Sequence, residues 1–433
     1  MLYTLKKIFN SLIRTQLINA GGFLFIASML AGALGYTYQI VIAKMLSPSD
    51  FGLLSALLAL WGVATVPLAA YSMLLTRNIA AFYARSNIAA VTAVYWKGWQ
   101  HLGIVSIIFC AFFTTAAPFL QAYLKAPSLL PVISLGLLMF VTIFTPVNAS
   151  LLQGVLNFRW LALNGLIGQS GKLIFGVTFI YLGWSVAGAL GGMILTVLIT
   201  FILNISVIKK YLTKLDSSVS NTWNDSANTI LPVFIANLAF AVMSQFDMIL
   251  VKAYFTAEEA GSYAVASVFG KTVMYLPGAL VLALFPMVAK NEALERSSFA
   301  LLLQGLLVTV ILSLIGGAFF YLLGDELITW LYADKYTEAG TLLQFYSFAM
   351  VPMAIVMVVE YFLIAKRRVL FAYLMLLAAP LELILIHNFH SSLMQVIWIM
   401  GFCGWGLVLV GFSMLLWQNR KFVVNQMKLK LGR

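Results

Sequence analysis

The sequence predicts an all-α integral membrane protein with twelve transmembrane helices in two six-helix bundles, related by a pseudo-two-fold axis along the membrane normal. Composition, recurring apolar runs and an internal repeat predict it. Of 433 residues, 62% are apolar and 9% charged, against about 25% charged in a typical soluble domain. A mean hydropathy of +0.99 over the whole length cannot come from one anchor, so the class is polytopic. A transmembrane barrel would alternate apolar and polar residues instead.

Crossing a bilayer takes about 20 helical residues. The apolar runs place spans near 18–43, 52–75, 98–120, 130–152, 162–182 and 184–208 in the first half. In the second they fall near 228–255, 261–289, 299–323, 341–365, 369–388 and 393–417. Residues 1–16 alternate Leu2, Leu5, Phe9, Leu12 and Ile13 with Lys6, Lys7 and Arg14 at helical spacing, which predicts an interfacial amphipathic helix. The expected organisation is that helix, a first lobe over 17–215, a cytoplasmic linker over 216–227, a second lobe over 228–417 and a basic tail over 418–433.

With a cytoplasmic N-terminus, the inner segments collect most of the 26 Lys and Arg, including Lys209, Lys210, Lys366, Arg367, Arg368 and Arg420. The outer segments keep Lys44, Lys125, Lys252 and Lys335 beside seven acids, among them Glu258, Glu259, Asp325 and Asp334. The positive-inside rule then puts both termini in the cytoplasm. The net charge of +12 is thereby explained without nucleic acid as a partner. Cys110 and Cys403 lie inside apolar runs and offer no disulfide framework.

Gln39 to Lys44 and Asp247 to Lys252 are both five residues. Lys44 to Gly52 is eight and Lys252 to Gly261 nine; Gly52 to Pro67 is fifteen and Gly261 to Pro277 sixteen. Each half holds an even number of spans, so the copies share an orientation and place a cavity between them.

The stretches Tyr38-Gln-Ile-Val-Ile-Ala-Lys-Met-Leu-Ser-Pro-Ser-Asp-Phe-Gly-Leu-Leu-Ser-Ala-Leu57 and Thr76-Arg-Asn-Ile-Ala80 resemble the first hairpin of polysaccharide-biosynthesis flippases. These belong to the multidrug/oligosaccharidyl-lipid/polysaccharide (MOP) exporter superfamily. Asp247-Met-Ile-Leu-Val-Lys252, Glu259-Ala-Gly-Ser-Tyr263, Leu276-Pro-Gly278, Phe285-Pro286 and Asp334-Lys-Tyr336 are similar to its second-half pattern. The resemblance implies a non-enzymatic flippase that carries a polyprenyl-pyrophosphate-linked oligosaccharide from the cytoplasmic to the outer leaflet by alternating access. It also implies a plasma membrane, bacterial inner or archaeal, with membrane lipids and other polysaccharide-assembly proteins as partners.

Five ionisable residues fall within spans: Lys172, Asp247, Lys271, Glu360 and Glu382. A charge at the bilayer centre costs about 2.5–3.5 kcal/mol on insertion scales, so partners or water must offset it. Lys172 and Lys271 each lie about ten residues, or about 15 Å, into their spans. They are the expected substrate-binding cations for a pyrophosphate in a shared cavity. Gln169 stands three residues before Lys172, and Gly165, Gly168 and Gly176 on the same helical face leave room for a headgroup. The alternative is that each lysine pairs structurally with an intramembrane acid. Arg77, ordinarily a positive-inside anchor, becomes by resemblance a possible inner gate for the pyrophosphate.

Asp247 shares a side of its span with Ser244 and Asn237, and Glu382 follows Pro380, whose missing amide frees a carbonyl. Carboxylates beside free carbonyls suit a hard cation, and a lone acid can carry a proton. Related lipid II flippases are thought to couple to a cation in the second lobe. Asp247, Glu382, Ser244 and Asn237 are therefore the ion-coupling set for Na+ or H+. The alternative is neutralisation of the two acids by Lys271 and Lys172. Glu360 is expected to form a snorkelling pair with Lys366 or Arg367, and Gly188 and Gly192 to serve tight helix packing.

No metal site is expected at His387 and His390, and no GxxxxGK[ST] loop is present for ATP. One rival function is a cation-coupled multidrug exporter of the same superfamily, which the two lysines oppose. The other is an oligosaccharide polymerase or glycosyltransferase, which would need more than the short outer loop carrying Asp325 and Glu326.

Overall fold

The computed structural model describes residues 24, 26–213, 227–278, 288, 299–366 and 368–418. The expected interfacial helix, most of the linker, the end of the eighth span and the basic tail lie outside them. All regular structure among the described residues is helical: α1 (Ile26–Met45), α2 (Pro48–Ala84), α3 (Ile88–Thr115), α4 (Ala117–Tyr123), α5 (Leu130–Thr142), α6 (Thr145–Gly154), α7 (Phe158–Phe179) and α8 (Ser185–Ile208), then α9 (Ala227–Tyr254), α10 (Ala257–Tyr275), α11 (Phe299–Tyr332), α12 (Ala339–Ala365), α13 (Leu370–Asn388) and α14 (Leu393–Gln418).

Ten stretches of the described residues are long and apolar enough to cross a membrane, so the chain is a multi-pass membrane protein. One of them, Phe158–Tyr211, is two antiparallel helices. Cβ atoms built on Gly171, Gly188 and Gly192 would meet Thr196, Phe179 and Gly176. Those pairs mirror about Gly183, whose φ of 90° lets the chain reverse. The glycines act as close-packing sites, Gly188 and Gly192 against backbone and Gly171 against the Thr196 side chain. α10 falls outside the ten because its 19 residues carry Glu258, Glu259 and Lys271.

The chain divides into two compact units. The first comprises residues up to Ser47 and from Pro67 to Ala227; the second comprises Pro48–Val66 and residues from Asn228 onward. α2 is continuous, yet its first half groups with the second unit, and the change falls at Pro67. Proline removes an amide donor and crowds the carbonyl four residues earlier, here that of Val63.

Local chemistry sets the helix starts. α3 and α7 each follow a residue of positive φ, Ser86 (55°) and Leu156 (60°). Each is then capped by an asparagine, Asn87 accepting from the Ala90 amide at 3.0 Å and Asn157 from the Trp160 amide at 3.2 Å. α10 opens on a capping box of Thr256 and Glu259.

The first unit packs Leu75, Ile79, Val91, Val94, Val147 and Leu151 into one apolar cluster. Its polar pairs are neutral: Tyr95 with Asn148, Ser72 with Ser150, and Trp160 and Asn164 with Asn204. The second unit is organised about α12, 78% buried over its most apolar stretch against 22–50% for the other nine.

The motif residues gather at one end of the second unit. A Cβ on Gly52 would lie 3.0 Å from the Ala260 carbonyl carbon, and one on Gly261 would overlap the Pro48 backbone. The Phe51 and Tyr336 rings meet edge to face at 6.3 Å. Gly52 and Gly261, matched by the internal repeat, are thus contact sites where α2 and α10 cross.

Candidate functional site

The charged centre of the second unit is built around Asp247, fully buried on α9. A tight turn at residues 255–256 folds α10 back along α9, which sets Tyr263 opposite Asp247. The Tyr263 hydroxyl donates to Asp247 Oδ2 at 3.0 Å. Tyr346, entering from α12, donates to the same oxygen at 2.7 Å. The two phenol rings meet edge to face at 5.5 Å. Gly270 makes the space for Tyr346, since a Cβ there would stand 2.5 Å from its ring.

Lys271 lies two turns beyond Tyr263 on α10. Helical side chains lean toward the N-terminus of their helix, so its ammonium reaches back toward Asp247. It comes to 3.5 Å from Oδ1 and donates to Gln245 Oε1 at 3.2 Å. Of the two alternatives the sequence leaves open for Lys271, the geometry realises the ion pair with an intramembrane acid. Such a pair in low dielectric holds only when hydrogen bonds satisfy the remaining lone pairs. The two tyrosines satisfy Oδ2 and Gln245 takes a proton of the ammonium, whereas Oδ1 has only the ammonium at 3.5 Å and no hydrogen bond among the described residues.

Glu382 is buried on α13 within Coulombic range of Asp247, and its Oε2 has no hydrogen-bonding partner among the described residues. Ser244 and Asn237 share the α9 helix with Asp247 but bond to their own backbone. Ser244 donates to the Ala241 carbonyl at 3.4 Å and Asn237 to that of Val233 at 2.8 Å. Among the described residues, no group of three His, Cys, Asp or Glu side chains converges.

Among the described residues Glu360 does not pair with Lys366, one of its two expected partners. It is buried on α12, its Oε1 has no hydrogen-bonding partner, and Lys366 lies over the Phe362 ring at 5.2 Å. α12 continues to Ala365, which draws residue 360 more than a turn inside. Arg367 lies outside the described residues.

In the first unit, Lys172 is half-buried on α7 with its ammonium 4.1 Å from the centroid of the Tyr38 ring on α1. The described residues of the first unit include no Asp or Glu, so no carboxylate within that unit pairs with it. One turn away, Gln169 Oε1 has no hydrogen-bonding partner and packs where a Cβ on Gly35 would stand 3.3 Å from it.

The glycines beside Lys172 divide into two groups. Cβ atoms on Gly165 and Gly168 would meet nothing within 4 Å, whereas one on Gly176 would stand 3.0 Å from the Tyr38 ring. Gly176 is therefore a packing site, and only Gly165 and Gly168 border open space. Arg77 is exposed near the end of α2.

The residues missed by sequence reasoning are three tyrosines and Gln245. Tyr263 and Tyr38 end and begin motif stretches without an assigned role, and Tyr346 stands in no motif. A tyrosine midway along an apolar helix must find a partner for its hydroxyl, and that was the available signal. The arrangement gives one unit a cation held by an aromatic face and the other an ion pair beside a second acid.

Comparison with solved structures places this geometry in a known fold. An inward-facing multidrug resistance MATE family transporter of the MOP superfamily matches with a TM-score of 0.75 at 14% identity, covering 91% of this chain and 95% of that one. The lipid II flippase MurJ in an inward closed conformation matches at 0.65 and 15% identity, covering 92% and 87%. A MOP superfamily transporter from Pyrococcus furiosus, described as having a binding pocket of reversed polarity that suggests a different function, matches at 0.63 and 14%, covering 93% and 94%. No curated protein matches the sequence. At these identities the likeness establishes the fold of MOP superfamily transporters, and the sequence itself supplies the family. The family model described as polysaccharide biosynthesis protein matches residues 41–341, well over half the chain, and the chain belongs to that family.

Proposed function

We propose that the protein is a flippase that moves a polyprenyl-pyrophosphate-linked oligosaccharide, a surface polysaccharide precursor, from the cytoplasmic to the outer leaflet by alternating access. Both termini are cytoplasmic in this reading, on the strength of the charge distribution. The observation that carries it is Lys172, a cation midway along a transmembrane helix in a unit whose described residues hold no carboxylate, with open space at Gly165 and Gly168. An intramembrane cation without a counter-charge suits an anionic cargo, and the pyrophosphate is the anion of a lipid-linked glycan. Arg77, exposed at the inner end of α2 in this topology, is the first cation to meet it.

Asp247 and Glu382 form the coupling centre, and a proton is the ion that suits them. Asp247 is committed to two phenols and an ammonium, whereas a hard cation needs several free oxygens. A single proton gives the unpartnered Glu382 oxygen its bond. The similarity to a MATE transporter supports the rival reading of multidrug export, but Lys172 would repel an organic cation.

The test is translocation of a fluorescent pyrophosphate-linked glycolipid in proteoliposomes, beside efflux of a lipophilic cation. Glycolipid flux that a proton gradient drives and Glu382→Gln uncouples is the expected result. Cation efflux without glycolipid flux would establish the multidrug reading instead.

A further inference from the structure

The first unit holds a side chain that neither motif nor charge singles out and that the substrate reading leaves without a role. Tyr38 is fully buried. Its hydroxyl has no hydrogen-bonding partner among the described residues, although such a group, buried and unsatisfied, costs about 1–3 kcal/mol. The face of its ring holds the Lys172 ammonium at 4.1 Å.

Sequence and packing build this contact deliberately. Gly35 approaches Gln169 while Tyr38 approaches Lys172 and Gly176, so α1 and α7 advance together and run parallel, as first and fifth spans must. Gly176 admits the ring, since any Cβ would press on it at 3.0 Å. A ring face attracts a cation by about 0.5–2 kcal/mol, less than a charge-assisted bond to an anion offers. Three groups are therefore weakly engaged along the α1–α7 contact: a cation on a ring face, a phenol hydroxyl beside Gly176 without an acceptor, and the Gln169 carbonyl oxygen beside Gly35 without a donor.

We propose that Tyr38 is a further substrate-binding residue, whose ring parks Lys172 and whose hydroxyl donates to a phosphate oxygen of the cargo when Lys172 leaves the ring for the same anion. The proposal rests on the flippase reading above and names the headgroup chemistry it needs. A pyrophosphate accepts from the ammonium and the phenol, and a hydroxyl of the adjoining sugar donates to Gln169 Oε1. One arrival satisfies all three groups. Gly165 and Gly168, bordered by open space, leave the ammonium room to swing.

The test uses the full chain in nanodiscs and compares affinities for a polyprenyl pyrophosphate and for the matching polyprenol, with inorganic pyrophosphate as competitor. The variants are Lys172→Gln and Tyr38→Phe, which keeps the ring and removes only the hydroxyl. The wild type should prefer the pyrophosphate lipid, inorganic pyrophosphate should compete, and Lys172→Gln should abolish both effects. Tyr38→Phe should lower the preference about tenfold, the size of one charge-assisted hydrogen bond. A Tyr38→Phe variant that keeps the full preference, or loses affinity for both lipids equally, overturns the role of Tyr38 and leaves the flippase reading standing. A wild type without preference, or one in which inorganic pyrophosphate fails to compete, overturns the headgroup assignment and Tyr38 with it.

Discussion

Lys172 and Lys271 occupy the same place in their helices, fourteen residues after the first residue of α7 and of α10, about 21 Å along each axis. Their surroundings differ in kind. Lys271 meets Asp247 and Gln245 inside the second unit, so its charge is answered by the fold. Among the described residues of the first unit, Lys172 meets an aromatic face and no carboxylate, and the polar pairs around it are neutral. A buried charge that is internally compensated serves structure or coupling. One that is held only by a ring keeps most of its interaction energy for something else. Equal position along a helix therefore does not imply equal role, and the contrast can be broken or sharpened residue by residue.

The largest expected effect falls on the compensated side. Lys271→Met leaves Asp247 as an unpaired buried charge and should cost about 3–5 kcal/mol of stability. Adding Asp247→Asn, which still accepts from both tyrosines, should recover most of it in the same thermal unfolding series. A double variant no more stable than the single one would mean that the pair is not a unit. Tyr346→Phe removes a hydrogen bond to a charged group and should cost about 1.5–3 kcal/mol. Tyr263→Phe should cost less, because its bond is longer, 3.0 against 2.7 Å.

Glycines give the next contrast. Gly261→Ala drives a Cβ into the Pro48 backbone and should destabilise by about 1–3 kcal/mol. Gly168→Ala in the first unit meets nothing within 4 Å and should not lower the unfolding temperature. The smallest effect belongs to Leu156→Gly, at a positive φ of 60° and largely exposed. Releasing that backbone should raise stability by about 1 kcal/mol, visible as a small upward shift in the same scan.

Much of this fold was legible because apolar runs of bilayer length leave few choices. The reversal expected between residues 182 and 184 falls at Gly183, whereas other bounds shift: α3 begins ten residues before its expected span, and the fourth span is two helices, α5 and α6. The Asp247 to Lys271 pair was legible only as an alternative. Its members are far apart in sequence, and only the tight turn at 255–256 with the backward lean of a helical lysine brings them together. Tyr346 could not be read, since its approach depends on the rotation of α12 and on room at Gly270. Spacing put Gly165, Gly168 and Gly176 on one face, but it could not tell that Gly176 is filled by Tyr38 while the other two stay open. The motif glycines Gly52 and Gly261 read as family signatures, and their physical reason is backbone contact between α2 and α10.

The central claim is that the cation of the first unit serves the cargo and not the fold, and Lys172→Gln tests it most directly. Translocation of a pyrophosphate-linked glycolipid in proteoliposomes should fall about tenfold or more, equivalent to at least about 1.4 kcal/mol. Stability should change by no more than about 1 kcal/mol, the worth of the ring contact, and Lys172→Arg should retain flux. Wild-type flux in Lys172→Gln, or a loss of flux that only tracks a loss of folded protein, would contradict the account.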